Sequence, residues 1–199
     1  MMVRFLKWIK SQMPFIWRWI ETVNGMIVAL LYGKKINLAA NNVLQQYSDS
    51  DITYRRLSSD DILNLSNMLT AQTDDYLQYF HPHAFDTATL DRLLANSSYL
   101  MMGAFVNGNI VGYHFIRFFA NGKCFRGNFV LPQYQGRHIG STMIKQMTEI
   151  GLAAGFRVFA TVSRHNLSSM ASSKRFSTIR IIEELPNDDI LIEHINTLS

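Results

Sequence analysis

A single cysteine among 199 residues excludes an intramolecular disulfide framework and a cysteine-built zinc site. The chain therefore fits a reducing compartment, and the cytoplasm, up to the inner face of the membrane, is the expected location. Charge is scarce, at 17% of residues, while 48% are hydrophobic. That balance excludes disorder, which needs low hydrophobicity and high net charge. Long apolar runs are missing too. Thr22 to Gly33 is uncharged, but its twelve residues fall short of the ~20 that a bilayer span needs. A signal peptide fits poorly, because the apolar stretch comes late and lacks a clear small-residue cleavage site. Neither G-x-x-x-x-G-K-[ST] nor G-x-G-x-x-G occurs, which excludes a P-loop and a Rossmann turn. His81-Pro82-His83 has no evident third ligand, so no metal site is expected. No internal repeat is present.

Acids are nearly absent from the first 35 residues. Arg4, Lys7, Lys10, Arg18, Lys34 and Lys35 face only Glu21 there. The remainder is close to neutral, although the whole chain carries +4. Nucleic acid is excluded as a partner, since phosphate neutralisation needs a basic face on the folded domain. All three tryptophans, Trp8, Trp17 and Trp19, lie among these cations. Pro14 starts or interrupts a helix. Two readings of this segment stay open. One is an interfacial anchor, with cations on lipid headgroups and tryptophans at the boundary. The other is a helical hairpin packed on its own domain or on a second subunit, as in a homodimer. Residues 1–36 therefore form a basic, hydrophobic, helical segment. Residues 37–50 (NLAANNVLQQYSDS) read as a polar linker, and 51–199 as the main domain.

Within that domain, residues 52–57 alternate as a strand. Ile62, Leu65, Met68 and Leu69 repeat at helical spacing, and a second helix lies within 87–95. Between them runs an aromatic, polar loop from Asp74 to His83. Asn107-Gly108 and Asn121-Gly122 join three antiparallel strands between 99 and 131. A helix follows from Ile139 until Gly155 ends it. A buried strand over 156–162, a short helix over 166–174 and strands over 178–184 and 190–195 complete the order. The class is α/β (α+β), with a mixed, mostly antiparallel central sheet flanked by helices.

The chemistry concentrates in Phe129-Val-Leu-Pro132-Gln-Tyr134-Gln135-Gly136-Arg137-His138-Ile139-Gly140-Ser141. A strand ends, a glycine-bearing loop follows, and a helix starts at once. Free N–H groups and the positive end of the helix dipole suit a diphosphate. This stretch resembles the acetyl-CoA-binding motif [Gln/Arg]-x-x-Gly-x-[Gly/Ala] of the GNAT superfamily of N-acetyltransferases. Gln135, Gly140 and Leu131-Pro132-x-Tyr134 match, and His138 departs from the usual middle glycine.

The resemblance implies a GNAT fold whose fourth strand bulges and splays from the fifth. It implies acetyl-CoA as cosubstrate and direct attack by a primary amine, with no acyl-enzyme. Phe129, Val130 and Leu131 would pair with the pantetheine arm, and the Val130 N–H would stabilise the oxyanion. Gln135, Gly136, Arg137, His138, Ile139, Gly140 and Ser141 would hold the diphosphate. Asn166 and Ser169 would contact the arm, Asn166 also being a helix N-cap candidate. The family's usual tyrosine acid is replaced by Ser173 or Lys174, leaving Ser172, Ser173, a water or a distant tyrosine to protonate the thiolate. Base candidates are His114, Tyr113, His81, His83 and His165, with Tyr113 and His114 on opposite strand faces. Cys124 lacks a Cys-His-Asn/Asp pattern and reads as a small strand residue. The acceptor expected is a small amine, such as an amino sugar of a surface-polysaccharide precursor. The rival readings are an acyl-CoA-sensing module and a membrane-associated scaffold.

Overall fold

A computed structural model describes residues 14–47, 51–186 and 188–197. It opens with one helix, α1 (Pro14–Gln46), which Pro14 starts and Gly33 does not break. The expected hairpin is absent among the described residues. The polar stretch from Asn37 to Gln46 is not a linker, as its composition suggested, but the last turns of this helix. Its apolar residues explain the difference: Ile36, Ala39, Ala40, Val43 and Leu44 recur at helical spacing and are buried in the main core.

β1 (Thr53–Arg56) is followed by a 3-10 turn, then α2 (Ile62–Thr70), a single turn α3 (Asp74–Leu77) and α4 (Thr87–Leu94). The strands β2 (Tyr99–Val106), β3 (Asn109–Phe118) and β4 (Lys123–Val130) form a meander. Asn107 and Gly108 both take positive φ, as their hairpin requires. At the second hairpin only Gly122 does, and Asn121 instead accepts the Lys123 N–H with its side chain. Then come α5 (Ile139–Ala153), β5 (Arg157–Ser163), α6 (Leu167–Phe176), β6 (Ser177–Glu184) and β7 (Asp189–Thr197). Gly155 closes α5 at φ 86°.

The seven strands lie in the order β1-β2-β3-β4-β5-β7-β6. Every neighbouring pair is antiparallel except β4–β5. α1 packs against α5 on one face of the sheet, and α2 packs against α4. Met102, Ile116, Phe118, Met143 and Met147 fill the core beneath α5. There Gly151 lets the helix approach, because a Cβ would stand 2.5 Å from Val158 and 3.1 Å from the Cys124 sulfur. Cys124 is fully buried, and burial pushes its thiol pKa far up.

β4 and β5 pair only from Lys123↔Arg157 to Phe125↔Phe159. Beyond Phe125 they part, while β4 keeps its partner β3 without a register shift as far as Val130. The expected splay is present. The expected bulge in β4 is not, so the gap opens on the β5 side alone.

Candidate functional site

Alternation along β4 decides which groups face that gap. Leu131 donates its N–H to Val111 O at 2.9 Å. Phe129 and Gly127 share that parity and point toward β3, so Asn128 and Val130 present N–H and C=O to the gap. Val130 thus has the orientation expected of it. Asn128, in the same strand, has the same orientation, and sequence alternation alone did not set it beside Val130 because it does not say where β5 departs.

At the mouth of the gap, the chain turns through Gly136 (φ 77°) and His138 (φ 62°) into α5. A left-handed backbone of this kind favours glycine, the residue that the motif resemblance puts at the position of His138. The first intrahelical bond runs from Thr142 N–H to His138 O. Ile139, Gly140 and Ser141 therefore keep free N–H groups, and the His138 side chain caps none of them. The Ser141 hydroxyl turns back to His138 O at 2.8 Å, leaving the opening uncovered.

A cavity of about 520 Å³ joins these parts. Of the residues expected to hold the cofactor, Phe129, Val130, Gln135, Gly136, His138, Ile139, Gly140, Ser141, Asn166 and Ser169 line this cavity. Asn166 caps α6 through a 3.0 Å bond from the Ser169 N–H, which leaves its amide NH2 for a ligand. Leu131 and Arg137 are not brought in. Leu131 is buried against β3, and the Arg137 guanidinium lies 5.5 Å from the Tyr134 ring centroid. Asp75, Tyr76, Gln78 and Ser168 line the cavity as well, and so does Ser172, one of the candidates for protonating the thiolate. The shape and donor set fit a diphosphate and an extended polar arm. They leave no side chain blocking the helix N-terminus.

A second cavity, of about 800 Å³, adjoins the first. Gln78, Tyr79 and Phe80 border both. Along β4 the boundary falls between Gly127, which lines the second, and Asn128, which lines the first. Aromatic rings of Tyr99, Phe115, Phe119 and Phe125 wall the second cavity, together with His81, His165, Arg117 and Arg126. The loop from Asp74 to His83 was expected to line a substrate site, and its residues Gln78 to Pro82 border this cavity.

Three catalytic candidates are placed elsewhere. His114 is fully buried under α5 beside Gln146, lines neither cavity and makes no hydrogen bond of normal geometry. Burial lowers its pKa to about 3, so its imidazole is neutral. Tyr113, on the opposite face, is also fully buried and donates to His83 Nε2 at 3.1 Å. Ser173 is fully buried as well, and its Oγ accepts from Arg126 Nη2 at 2.7 Å. Packing decides these positions: each sits on the inward repeat of its own element. Ser172, one residue earlier, faces the first cavity instead.

Arg126 was missed entirely. The inward parity of Cys124, Arg126 and Asn128 was a visible signal, since a cation on the buried face of a strand demands a reason.

No curated protein sequence matches the chain. Among solved structures, the PaiA N-acetyltransferase of Thermoplasma acidophilum in complex with coenzyme A is 19% identical. It superposes with a TM-score of 0.58 over 72% of this chain and 98% of its own. A spermidine N-acetyltransferase chimera from Vibrio cholerae SpeG and hSSAT is 14% identical, with a TM-score of 0.56 over 73% and 95%. The aminoglycoside acetyltransferase AAC(6')-Ib in complex with coenzyme A and kanamycin is 14% identical, with a TM-score of 0.56 over 72% and 94%. At such identities these likenesses establish the fold. The model of the acetyltransferase (GNAT) family matches residues 65–176, from α2 to the end of α6 and across both cavities. The chain belongs to the GNAT family of acetyltransferases and is an acyltransferase.

Proposed function

We propose that the protein is an N-acetyltransferase that moves an acetyl group from acetyl-CoA to a primary amine by direct attack. The observation that carries this reading is the gap beyond Phe125 with an uncapped helix N-terminus at its mouth. The N–H groups of residues 136–141 would receive the diphosphate. The backbone of Asn128 and Val130 would align the pantetheine arm, and Asn166 would donate to it. The cosubstrate supplies an acetyl group activated as a thioester. The N–H of Asn128 or Val130 would face the charge that develops on the acyl oxygen, worth about 3 kcal/mol for one well-placed donor. Asn128 lies nearer the junction of the two cavities, which makes it the stronger of the pair.

The amine would enter through the aromatic cavity, where His81 and His165 are placed to take its proton directly or through water. Ser172 is placed to return a proton on the thiol side. Direct attack agrees with Cys124, which is buried away from both cavities. An amino sugar suits the rings of Tyr79, Phe80 and Phe115, which give its apolar face a surface to lie on. Calorimetric titration with coenzyme A tests the cradle. Micromolar binding is expected, with a loss of tenfold or more, roughly 1.4 kcal/mol, in Gly140→Glu, which puts a carboxylate where the diphosphate belongs. No heat of binding to the native chain would end the reading.

A second proposal concerns α1. Trp19, Met26, Ile27, Leu30, Leu31 and Leu38 form an exposed apolar stripe along about 28 Å of helix, Leu30 being 84% exposed. Arg18, Lys34 and Lys35 stand exposed beside it. Glu21, the helix's only acid, is turned inward to Arg92 and Arg117. Residues 1–13 add Arg4, Lys7, Lys10 and Trp8. A second copy of this face would set cations against cations in an antiparallel pairing, whereas anionic lipid would complement them. Flotation with phosphatidylglycerol vesicles, weakened by Met26→Glu/Leu30→Glu and by salt, is the expected result. Failure to float, or a mass that doubles with concentration and is abolished by the same pair, would replace lipid with a second subunit.

A further inference from the structure

We propose that Arg126, held beneath α6 by Ser173 and His194, serves the sulfur side of the transfer by keeping a positive charge behind the departing thiolate. The inference rests on the reading of the cofactor cavity given above. It goes further by naming the group that offsets the charge left on sulfur when its bond to the acetyl carbon breaks.

Arg126 occupies the first position beyond the last β4–β5 rung, Phe125↔Phe159, at the apex of the splay. Alternation gives its side chain the face of the sheet that carries Cys124 and Asn128. The Cys124 sulfur lies 3.1 Å from where a Gly151 Cβ would stand, and the Asn128 amide nitrogen 3.8 Å from that of Gly140. Both glycines belong to α5, so this is the helix-covered face, away from the rings of the aromatic cavity. The guanidinium reaches across it toward β7 and α6. Its Nε and Nη2 donate to His194 Nε2 at 3.1 and 2.8 Å, and Nη2 also donates to Ser173 Oγ at 2.7 Å. His194 accepts at Nε2, so its proton sits on Nδ1 and is donated to Ser177 Oγ, which in turn donates to Ser173 O. Four side chains from β4, α6, β6 and β7 thus fix the direction of one cation. Ser172, next to Ser173 on α6, lines the cofactor cavity.

Nothing in that network balances the charge. Arg126 is only 7% exposed. Burial lowers its pKa to about 9, which leaves it a cation at neutral pH. Burial, then the nearby guanidinium, holds the His194 pKa down to about 2, so this partner is neutral, as is Ser173. Among the described residues no carboxylate bonds to Arg126. A buried cation without a counter-ion is expensive to maintain, and an apolar residue of similar volume packs at lower cost. The charge is offset when an anion forms close by, and acetyl transfer forms one. The amine nitrogen bonds to the acetyl carbon, the carbon–sulfur bond breaks with its electron pair going to sulfur, and the amine gives a proton to a base. Sulfur is a thiolate until Ser172 returns a proton to it. With the diphosphate at residues 136–141 and the arm along β4, the thioester end falls beside Asn128. Arg126 is two residues further on with the same parity, about 7 Å along the strand. At that range a unit charge in a partly buried setting shifts an ionisation by about one pH unit or more.

Titration of the coenzyme A thiol bound to the full chain tests this. The thiolate is followed by its ultraviolet absorbance, with the desulfo-coenzyme A complex subtracted to remove tyrosine ionisation. In the native chain the bound thiol should ionise about one pH unit or more below free coenzyme A. Arg126→Met should abolish most of that shift. Its affinity for acetyl-CoA, whose thioester carries no charge, should stay within about threefold of the native value. Arg126→Lys keeps the charge and should keep about half of the shift or more. A purely structural role would not move the thiol in this way. A native bound thiol that ionises at or above the free one, or a shift unchanged in Arg126→Met, would overturn the proposal. If Arg126→Met does not fold, the comparison of bound with free coenzyme A on the native chain still decides. Binding of coenzyme A with an unshifted thiol removes this inference alone. Loss of coenzyme A binding removes the reading of the site itself.

Discussion

His138 and His114 show how differently two histidines can be used. His138 holds a left-handed backbone at the helix entrance with a side chain that caps nothing. A non-glycine residue there costs about 1 kcal/mol. His138→Gly should therefore leave coenzyme A affinity intact and raise or preserve the midpoint of urea unfolding, whereas His138→Val should lower both. His114 is buried without a proper hydrogen bond and titrates near 3 instead of 6.5. A histidine whose folded pKa is depressed contributes stability above its unfolded value and loses it as pH falls. Unfolding midpoints should accordingly begin to drop below about pH 6.5. His194 is likewise held down to about 2, so His114→Leu should reduce the slope from 6.5 to 4.5 by roughly half while leaving kcat/KM within about twofold. A collapse of kcat/KM in that variant would restore His114 to the catalytic machinery. Residue type and strand parity made the loop from Gln135 to Ser141 legible. They could not distinguish a histidine facing a cavity from one facing a helix, because both lie on inward positions.

Among the elements, the β6–β7 pair is fastened by one carboxylate. Glu193 accepts from Arg157 Nε at 2.6 Å and from Arg180 Nη2 at 2.6 Å. These partners, Arg157 first, draw its pKa from 4.5 to about 2. Asp61, gripped by Arg55 on the far side of the sheet, is drawn from 3.8 to about 2. A lowered carboxylate contributes stability that is complete above its unfolded pKa and vanishes as pH falls through the folded one. The second, steeper loss should thus run from about pH 4.5 to 2, and Glu193→Gln should be less stable at pH 7 with a shallower acid limb. The strands and most helices were readable from alternation, Asn-Gly turns and apolar spacing. The tail of α1 was not. Asn37 to Gln46 reads as polar in composition, yet Ala39, Ala40, Val43 and Leu44 place a narrow stripe of small residues against the core. Composition averages around a helix, whereas burial selects one side of it.

For the whole molecule, α1 is part of the folded domain and no detachable appendage. Val28, Ile36 and Val43 belong to the main core, Asn24 bonds to Phe118 O and Ala120 N–H, and Tyr47 donates to Glu149 at 2.7 Å. Removing residues 1–50 should strip these contacts and yield an insoluble or non-cooperatively unfolding product, seen as loss of a sharp thermal transition by circular dichroism. The side of α1 turned away from the core can be changed without this penalty, which is why point substitutions suit the lipid test. Overall architecture followed from the order of elements, whereas the make-up of the aromatic cavity needed three dimensions: Tyr79, Tyr99, Phe125 and His165 are far apart in the chain. One quiet property has a practical use. With its sole sulfhydryl sealed beneath Gly151, the native enzyme should stay dark toward Ellman-type reagents. Every colour change during turnover would then report coenzyme released, and a delayed extra equivalent would mark the moment the domain comes apart.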